Sequence, residues 1–338
     1  MKEHNIIKDT RKGDKAFGSL QVVDTLAART EIPIGVINGS SPGPTLAVTG
    51  GLRATEYCGI EAAARLYQSI DPVKLSGRML IVPVVNLPCF QFRTPWFNLS
   101  KSISPMDGRP INKVFPGNPQ GPVTDRIADK LFMEVILKSD YHVDFRGGDL
   151  NSSHLVHTIY LRMDREIDIT CEEMAKVFGL KYVLPGTPDI GHTSKGTLIY
   201  EAVDRGVPSI ISESGLGFRT QPLEKYINIH IEGTVNLMNH YGMIDGKPSN
   251  TGEQRYLDMK WCSVKANISG VFHAIADQGD ILQKGELIGR ITDIGGAELE
   301  QIKSPIDGVV HTMYPRRLVF PGDGLYTLLK LGELTGYM

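Results

Sequence analysis

Thr45-Leu46-Ala47-Val48-Thr49-Gly50-Gly51-Leu52-Arg53-Ala54-Thr55-Glu56 is the stretch from which the rest of the chain takes its meaning. Its first five residues are apolar or β-branched and read as a buried strand. Two glycines then mark a sharp turn, and residues 59–67 read as a helix. A strand end, a glycine turn and a helix start together form the place where α/β proteins carry reactive side chains. The turn holds Arg53 and Glu56, three residues apart. A second strand end, Val143-Asp144-Phe145-Arg146-Gly147-Gly148-Asp149, brings another arginine to a similar position.

Working outward, further strands are predicted at 32–39, 79–86, 141–145, 155–161, 182–184 and 208–215, the last ending in Glu213. Helical spacing of apolar residues predicts helices at 124–138, 172–178, 197–205 and 223–241. The 79–86 run, Met-Leu-Ile-Val-Pro-Val-Val-Asn, is almost continuously apolar, as strands covered on both faces are. Alternating strands and helices predict an α/β fold with a mostly parallel, doubly wound sheet. Ser40-Ser41-Pro42-Gly43-Pro44 is predicted to be a loop. Residues 87–122 form a long aperiodic segment, ordered by its aromatics and of the kind that carries function.

The pattern changes near Gly252. Short β-prone runs separated by glycine turns, such as Asp307-Gly308-Val309-Val310, predict a small all-β domain over 253–338 behind an α/β domain over 1–252. Its glycine turns resemble those of barrel-sandwich carrier domains. A carrier needs a lysine on the hairpin tip, and Gly295-Gly296-Ala297-Glu298 has none. A structural or substrate-shielding module is therefore the reading.

Net charge is −2 over 338 residues, which provides no field for nucleic acid or an anionic membrane. The first residues lack an apolar signal segment, and no run long enough to span a bilayer exists. The four cysteines are scattered, without a CxxC pair, and read as reduced thiols in a cytoplasmic protein.

These blocks together resemble the succinylglutamate desuccinylase/aspartoacylase family, which has a zinc-carboxypeptidase-like fold. The resemblance rests on the Gly-Gly turn before Glu56, Val82-Pro83-Val84-Val85-Asn86, Phe90 with Arg93-Thr94-Pro95, and Ser104-Pro105 with Asp107-Gly108. It continues through Asn112, Val114-Phe115-Pro116-Gly117, Asp144, Gly147-Gly148-Asp149, Gly191 with Thr193-Ser194, and Glu213 with Gly215. The resemblance implies a zinc held by two histidines and a glutamate, a glutamate general base, and an arginine that polarises the scissile carbonyl. On that footing Glu56 corresponds to the ligating glutamate, Glu213 to the base, Arg93 to the polarising arginine, and Asn112 to the first member of a substrate-binding Asn-Arg pair. A small anionic substrate and a homo-oligomer are expected on the same ground.

The departures carry the functional reading. Arg53 and Arg146 stand where the two histidines would, and Lys113 replaces the arginine of the Asn-Arg pair. A guanidinium stays protonated and offers no lone pair to a metal. Each like charge about 4 Å from a cation costs about 4 kcal/mol at an effective dielectric near 20, and a dication doubles that. No metal and no other cofactor is expected in that position. The leading expectation is a zinc-independent enzyme acting on a small carboxylate-bearing, N-acyl amino acid-like compound. Arg53, Arg146, Asn112, Lys113 and Asp149 would bind it, and Glu213 with Arg93 would carry the chemistry. The alternatives are a catalytically dead protein that binds a small anion, and a metal-dependent deacylase whose ligands have moved to His142, His154, His157 or His192.

Overall fold

The computed structural model describes residues 5–24, 29–92, 103–150, 152–217, 221–249, 252–314 and 316–331. A one-turn helix, α1 (Ile6–Asp9), precedes β1 (Asp14–Asp24) and β2 (Arg29–Asn38). Then come β3 (Ser41–Thr49), α2 (Tyr57–Ser69), β4 (Ser76–Val82), α3 (Leu87–Phe92), α4 (Val123–Glu134) and β5 (Tyr141–Arg146). The α/β part closes with β6 (Ser153–His154), β7 (His157–Leu161), α5 (Ile167–Phe178), β8 (Tyr182–Gly186), α6 (Leu198–Asp204), β9 (Ser209–Glu213) and α7 (Glu224–His240).

Alternation along each strand sorts side chains between two cores. Leu46 and Val48 of β3 join Ala62, Ala63 and Leu66 of α2, Met174 and Phe178 of α5, and Leu237 of α7 on one face. Ala47 points the other way, into a second core with Leu131 and Phe132 of α4 and Leu198 and Ala202 of α6. The sheet is thus covered on both faces, as its apolar runs require.

Strand direction departs from expectation. In the order β1-β2-β4-β3-β5-β9-β7-β8 the sheet is mixed rather than mostly parallel. β3, β4, β5 and β9 run parallel, and so do β7 and β8, but β1–β2, β2–β4 and β7–β9 are antiparallel. A strand buried on both faces has the same composition in either direction, so apolar content could not reveal the reversal. The Ser40–Pro44 loop is also corrected, because β3 already begins at Ser41. Its register against β4 shifts between Ser41 and Thr45, so Pro42 and Pro44 sit in an irregularity that asks no ladder donor of them. The long 87–122 segment contains α3 and a short 3-10 turn at Ile111–Lys113.

Beyond residue 252 the strands are β10 (Arg255–Lys265), β11 (Gly270–Ala274), β12 (Ile281–Leu282), β13 (Leu287–Thr292), β14 (Glu298–Lys303), β15 (Gly308–Met313), β16 (Leu318–Val319) and β17 (Gly324–Leu331). They form two antiparallel layers, β10-β17-β15-β12 and β14-β13-β11-β16. Phe272, Ile288, Ile291, Val310, Leu325 and Tyr326 fill the core between them. The module is joined to the α/β part by backbone. β10 pairs in parallel with β8 through Arg255 and Tyr256, then pairs antiparallel with β17. β15 pairs with β6, matching Thr312 to His154 and Met313 to Ser153. Cys58, Cys89 and Cys171 are buried, and none of the four cysteines is in a disulfide. Among the described residues no helix is long and apolar enough to cross a membrane.

Candidate active site

Two backbone constraints bring the polar residues together. Gly51 turns the chain at φ +60°, a conformation that side-chain-bearing residues rarely adopt, and this sends Arg53 and Glu56 back over the end of β3. Gly147 lets the end of β5 close onto β9, since a Cβ there would lie 2.4 Å from the carbonyl oxygen of Ser214. Register does the rest. Arg146 lies beside Glu213 across β5 and β9, and Glu213 lies beside His157 across β9 and β7. Cross-strand partners share a face, so these three side chains line up on one side at the ends of the strands.

Arg146 is fully buried. Its Nε donates to Glu56 Oε2 at 2.8 Å and its Nη1 donates to Asp144 Oδ2 at 3.3 Å. Its Nη2 has no hydrogen-bond partner among the described residues. Asp144 is held from behind by Thr49, whose hydroxyl donates to Oδ1 at 2.7 Å. Arg53 is bound more loosely. Its Nη1 stands 3.6 Å from Glu56 Oε1 and 3.9 Å from Asp149 Oδ2, with its side chain 19% exposed. Burial pushes the Glu56 carboxyl up to about 8, against the opposing pull of Arg146 and Arg53. Burial likewise raises Asp144, against Arg146 and Thr49.

A second set of contacts continues from Asp149. The Ser152 hydroxyl is 3.1 Å from Asp149 Oδ1 and 2.8 Å from His154 Nε2. The other ring nitrogen, His154 Nδ1, is 3.4 Å from Glu213 Oε2. Burial works against the charge on Glu213, yet the hydrogen bond from His154 holds its carboxyl well below the usual range. The C-terminal module closes this side. The His311 ring lies 5.7 Å from that of His154 and 4.9 Å from that of His157, and Trp261 packs edge-on against it at 4.6 Å. Burial holds both His157 and His311 below the ordinary imidazole value.

The structure therefore gathers Arg53, Glu56, Arg146, Asp149 and Glu213 into one cluster. Asn112 and Lys113 belong to a neighbouring one. The Asn112 Oδ1 accepts from the Leu198 amide at 3.1 Å, and Lys113 Nζ donates to Gly191 O at 3.1 Å and Ser194 Oγ at 2.6 Å. His192, on the same turn as Gly191, links the two clusters. Burial and the nearby Arg53 hold its ring well below the ordinary value. Arg93 lies outside the described residues. Sequence reasoning gave no role to Ser152, His311 or Trp261. The short spacing of Ser152, His154 and His157 was the visible signal, and no sequence pattern pointed to residues 261 and 311.

The two arginines do not form a joint cationic surface. Arg146 is spent on internal ion pairs, and only Arg53 reaches solvent. Four carboxyl groups (Glu56, Asp144, Asp149 and Glu213) face two guanidiniums here. The ligand positions that the family resemblance assigns to zinc do not fit the ion. Glu56 is the one lone-pair donor of the three, and its Oε2 already accepts from a permanent cation at 2.8 Å. Of the histidines offered as relocated ligands, His154 approaches Glu213, and the rings of His154 and His157 both approach His311. His142 contacts Thr49 and Ser209, and His157 contacts the Leu155 carbonyl. Among the described residues no group of three or more His, Cys, Asp or Glu side chains is arranged to hold a metal.

Comparison with known proteins agrees with the resemblance read from the sequence. The profile of the succinylglutamate desuccinylase/aspartoacylase catalytic domain matches residues 42–241. The N-alpha-acetyl-L-2,4-diaminobutyric acid deacetylase of Halomonas elongata is 28% identical over 99% of this chain and 93% of its own length. The product-bound ectoine utilization protein EutE (DoeB) of Ruegeria pomeroyi superposes with a TM-score of 0.81 at 24% identity, covering 94% of this chain and 95% of that one. A succinylglutamate desuccinylase/aspartoacylase from Rhodobacter sphaeroides gives a TM-score of 0.79 at 25% identity, covering 94% and 96%. The Halomonas elongata relative is thus, by its name, a deacetylase of a small N-acetyl amino acid.

Proposed function

We propose that this chain, which belongs to the succinylglutamate desuccinylase/aspartoacylase family, is a deacylase of small carboxylate-bearing N-acyl amino acids that works without zinc at the family's ligand positions. The observation that carries the reading is the Arg146 guanidinium lying on Glu56 at 2.8 Å, both side chains closed to solvent. A fixed cation holds the place where a metal would supply positive charge. In this reading Arg146 is an internal counter-charge that fixes Glu56 and Asp144. Arg53, partly exposed and loosely paired, grips the substrate carboxylate or the developing oxyanion. Glu213 and the imidazole on it move the proton. Asp149 positions Arg53, and Asn112 and Lys113 border the site from the neighbouring turn. Arg93 is assigned to the carbonyl from the family pattern alone.

The relatives' substrates support an N-acetyl or N-succinyl amino acid as the compound class. Screening such compounds against protein held in excess chelator tests the reading. Turnover should persist under chelation and fall by about 100-fold or more in Glu213→Gln. Turnover that appears only with added zinc would sink it. A second reading, a binding protein for a small anion, is favoured by the internal pairing of Arg146, because a site whose charges are satisfied from within needs no turnover to be stable. Binding of N-acyl amino acids without any product would select it.

A further inference from the structure

We propose that Ser152 is an acyl-accepting nucleophile, with His154 as its base and Glu213 as the carboxylate that orients the imidazole. The proposal rests on the deacylase reading above and names the group that takes the acyl unit. Three contacts carry it. The Ser152 hydroxyl is 2.8 Å from His154 Nε2, His154 Nδ1 is 3.4 Å from Glu213 Oε2, and Glu213 and Ser152 therefore sit on opposite ring nitrogens. That order of hydroxyl, imidazole and carboxylate activates serine on unrelated folds, and it is recognised by geometry rather than by chain position.

The surrounding structure holds the three in place. Ser152 immediately precedes β6 and His154 ends it, and the 2.8 Å contact shows that their side chains leave the same side. That segment is clamped by the C-terminal module through the Thr312–His154 register and the Leu155 amide, which donates to His311 O at 2.7 Å. With Nδ1 donating to Glu213, Nε2 is the ring nitrogen left to take the serine proton. The hydroxyl donates to Asp149 Oδ1 at 3.1 Å and lies 2.8 Å from His154 Nε2, to which its single proton turns for the attack. The nearer is the imidazole. Asp149 Oδ2 in turn lies 3.9 Å from Arg53, which places a cation one carboxylate away from the attacking oxygen.

The step balances without a metal. Ser152 Oγ bonds to the acyl carbon as its proton passes to His154 Nε2, and Arg53 faces the oxyanion. The C–N bond then breaks, and the proton on Nε2 goes to the departing amine. The acyl group remains as an ester on Ser152. Water attacks that ester, His154 takes its proton, and the acid leaves as Ser152 regains its hydrogen. The net reaction is amide plus water to carboxylic acid plus amine.

The test uses the full chain with a fluorophosphonate probe and with p-nitrophenyl acetate, read by peptide mass spectrometry. Either reagent should modify Ser152, with labelling abolished in Ser152→Ala and slowed by about 100-fold or more in His154→Gln. If Ser152→Ala does not fold, Ser152→Cys replaces it and should carry the acetyl group as a thioester at position 152. No modification at 152, in wild type or Ser152→Cys, overturns the proposal. If N-acetyl amino acids are still hydrolysed at the wild-type rate by Ser152→Ala, the proposal falls and the deacylase reading stands. If Ser152 is modified but no N-acyl amino acid is turned over, the nucleophile stands and the substrate reading falls.

Discussion

Arg146 donates from Nε to Glu56 Oε2 at 2.8 Å, and neither side chain is exposed to solvent. The two residues are 90 apart in the chain and meet at the mouths of neighbouring strands. Buried pairs of this kind gain little over an apolar replacement of both partners, but removing one partner leaves the other charged and enclosed. That asymmetry decides how the pair is tested.

Arg146→Met should cost about 3–5 kcal/mol of unfolding free energy in urea titrations above about pH 8, where Glu56 is ionised, because Glu56 and Asp144 lose their shared counter-ion. Glu56→Leu in the same chain should recover part of that loss. A double-mutant cycle with no coupling between the two positions would show that the pair does not hold the site together.

Arg53 should behave differently. Its pairs are long and its side chain reaches solvent, so Arg53→Met should change stability by less than about 1 kcal/mol. The same variant should weaken binding of an N-acetyl amino acid by about 10- to 100-fold, the value of a lost charge-assisted hydrogen bond. Calorimetric titration against the des-carboxy amide of the ligand checks it. Equal losses for acid and amide would remove the carboxylate from Arg53.

Replacing both arginines by histidine should restore a metal centre. Arg53→His/Arg146→His presents two imidazoles and Glu56, the donor set of a three-ligand zinc site with one open position. Elemental analysis after dialysis in equal zinc should find about one zinc per double-variant chain and much less in the wild type. Equal zinc in both would show that the guanidiniums do not exclude the ion.

Acid should unfold the protein from about pH 6.5 downward. Burial lowers His142 to about 3 and His230 to about 4, so both stay neutral in the fold while their unfolded counterparts take up protons. Stability from these groups is present above the unfolded value near 6.5 and is lost as pH falls toward 3–4, by about 1.4 kcal/mol per pH unit for each proton. Glu56 works the other way between about 8 and 4.5, since the fold binds its proton more tightly. His157, His192 and His311, likewise held below the ordinary imidazole value, act with His142 and His230, so the balance against the one Glu56 proton is a net loss of stability below about pH 6, measurable as a falling urea midpoint. His142→Gln and His230→Gln together should flatten that slope.

Legibility in the sequence followed distance along the chain. The Gly50-Gly51 turn, Arg53 and Glu56 are local, and a strand period meeting a helix period exposed them. The permanent positive charge at 53 and 146 was also readable, because it belongs to the residue type. The burial of Arg146 was not, since an arginine at a strand end is usually solvated. Nor was the approach of Ser152 and His154 to Glu213, which lies 59 residues beyond His154.

The sequence by itself determined the α/β family, the positions of the glycine turns, and the permanent cations at 53 and 146. Those are properties of residue type and short-range periodicity, and neither needs a partner. Tertiary structure alone decided which arginine faces solvent, which carboxylates neutralise the other, and that β15 of the C-terminal module clamps the strand carrying His154. These follow from strand direction and register. A fully covered strand has the same apolar composition whichever way it runs, so only the assembled sheet fixes which polar side chains meet.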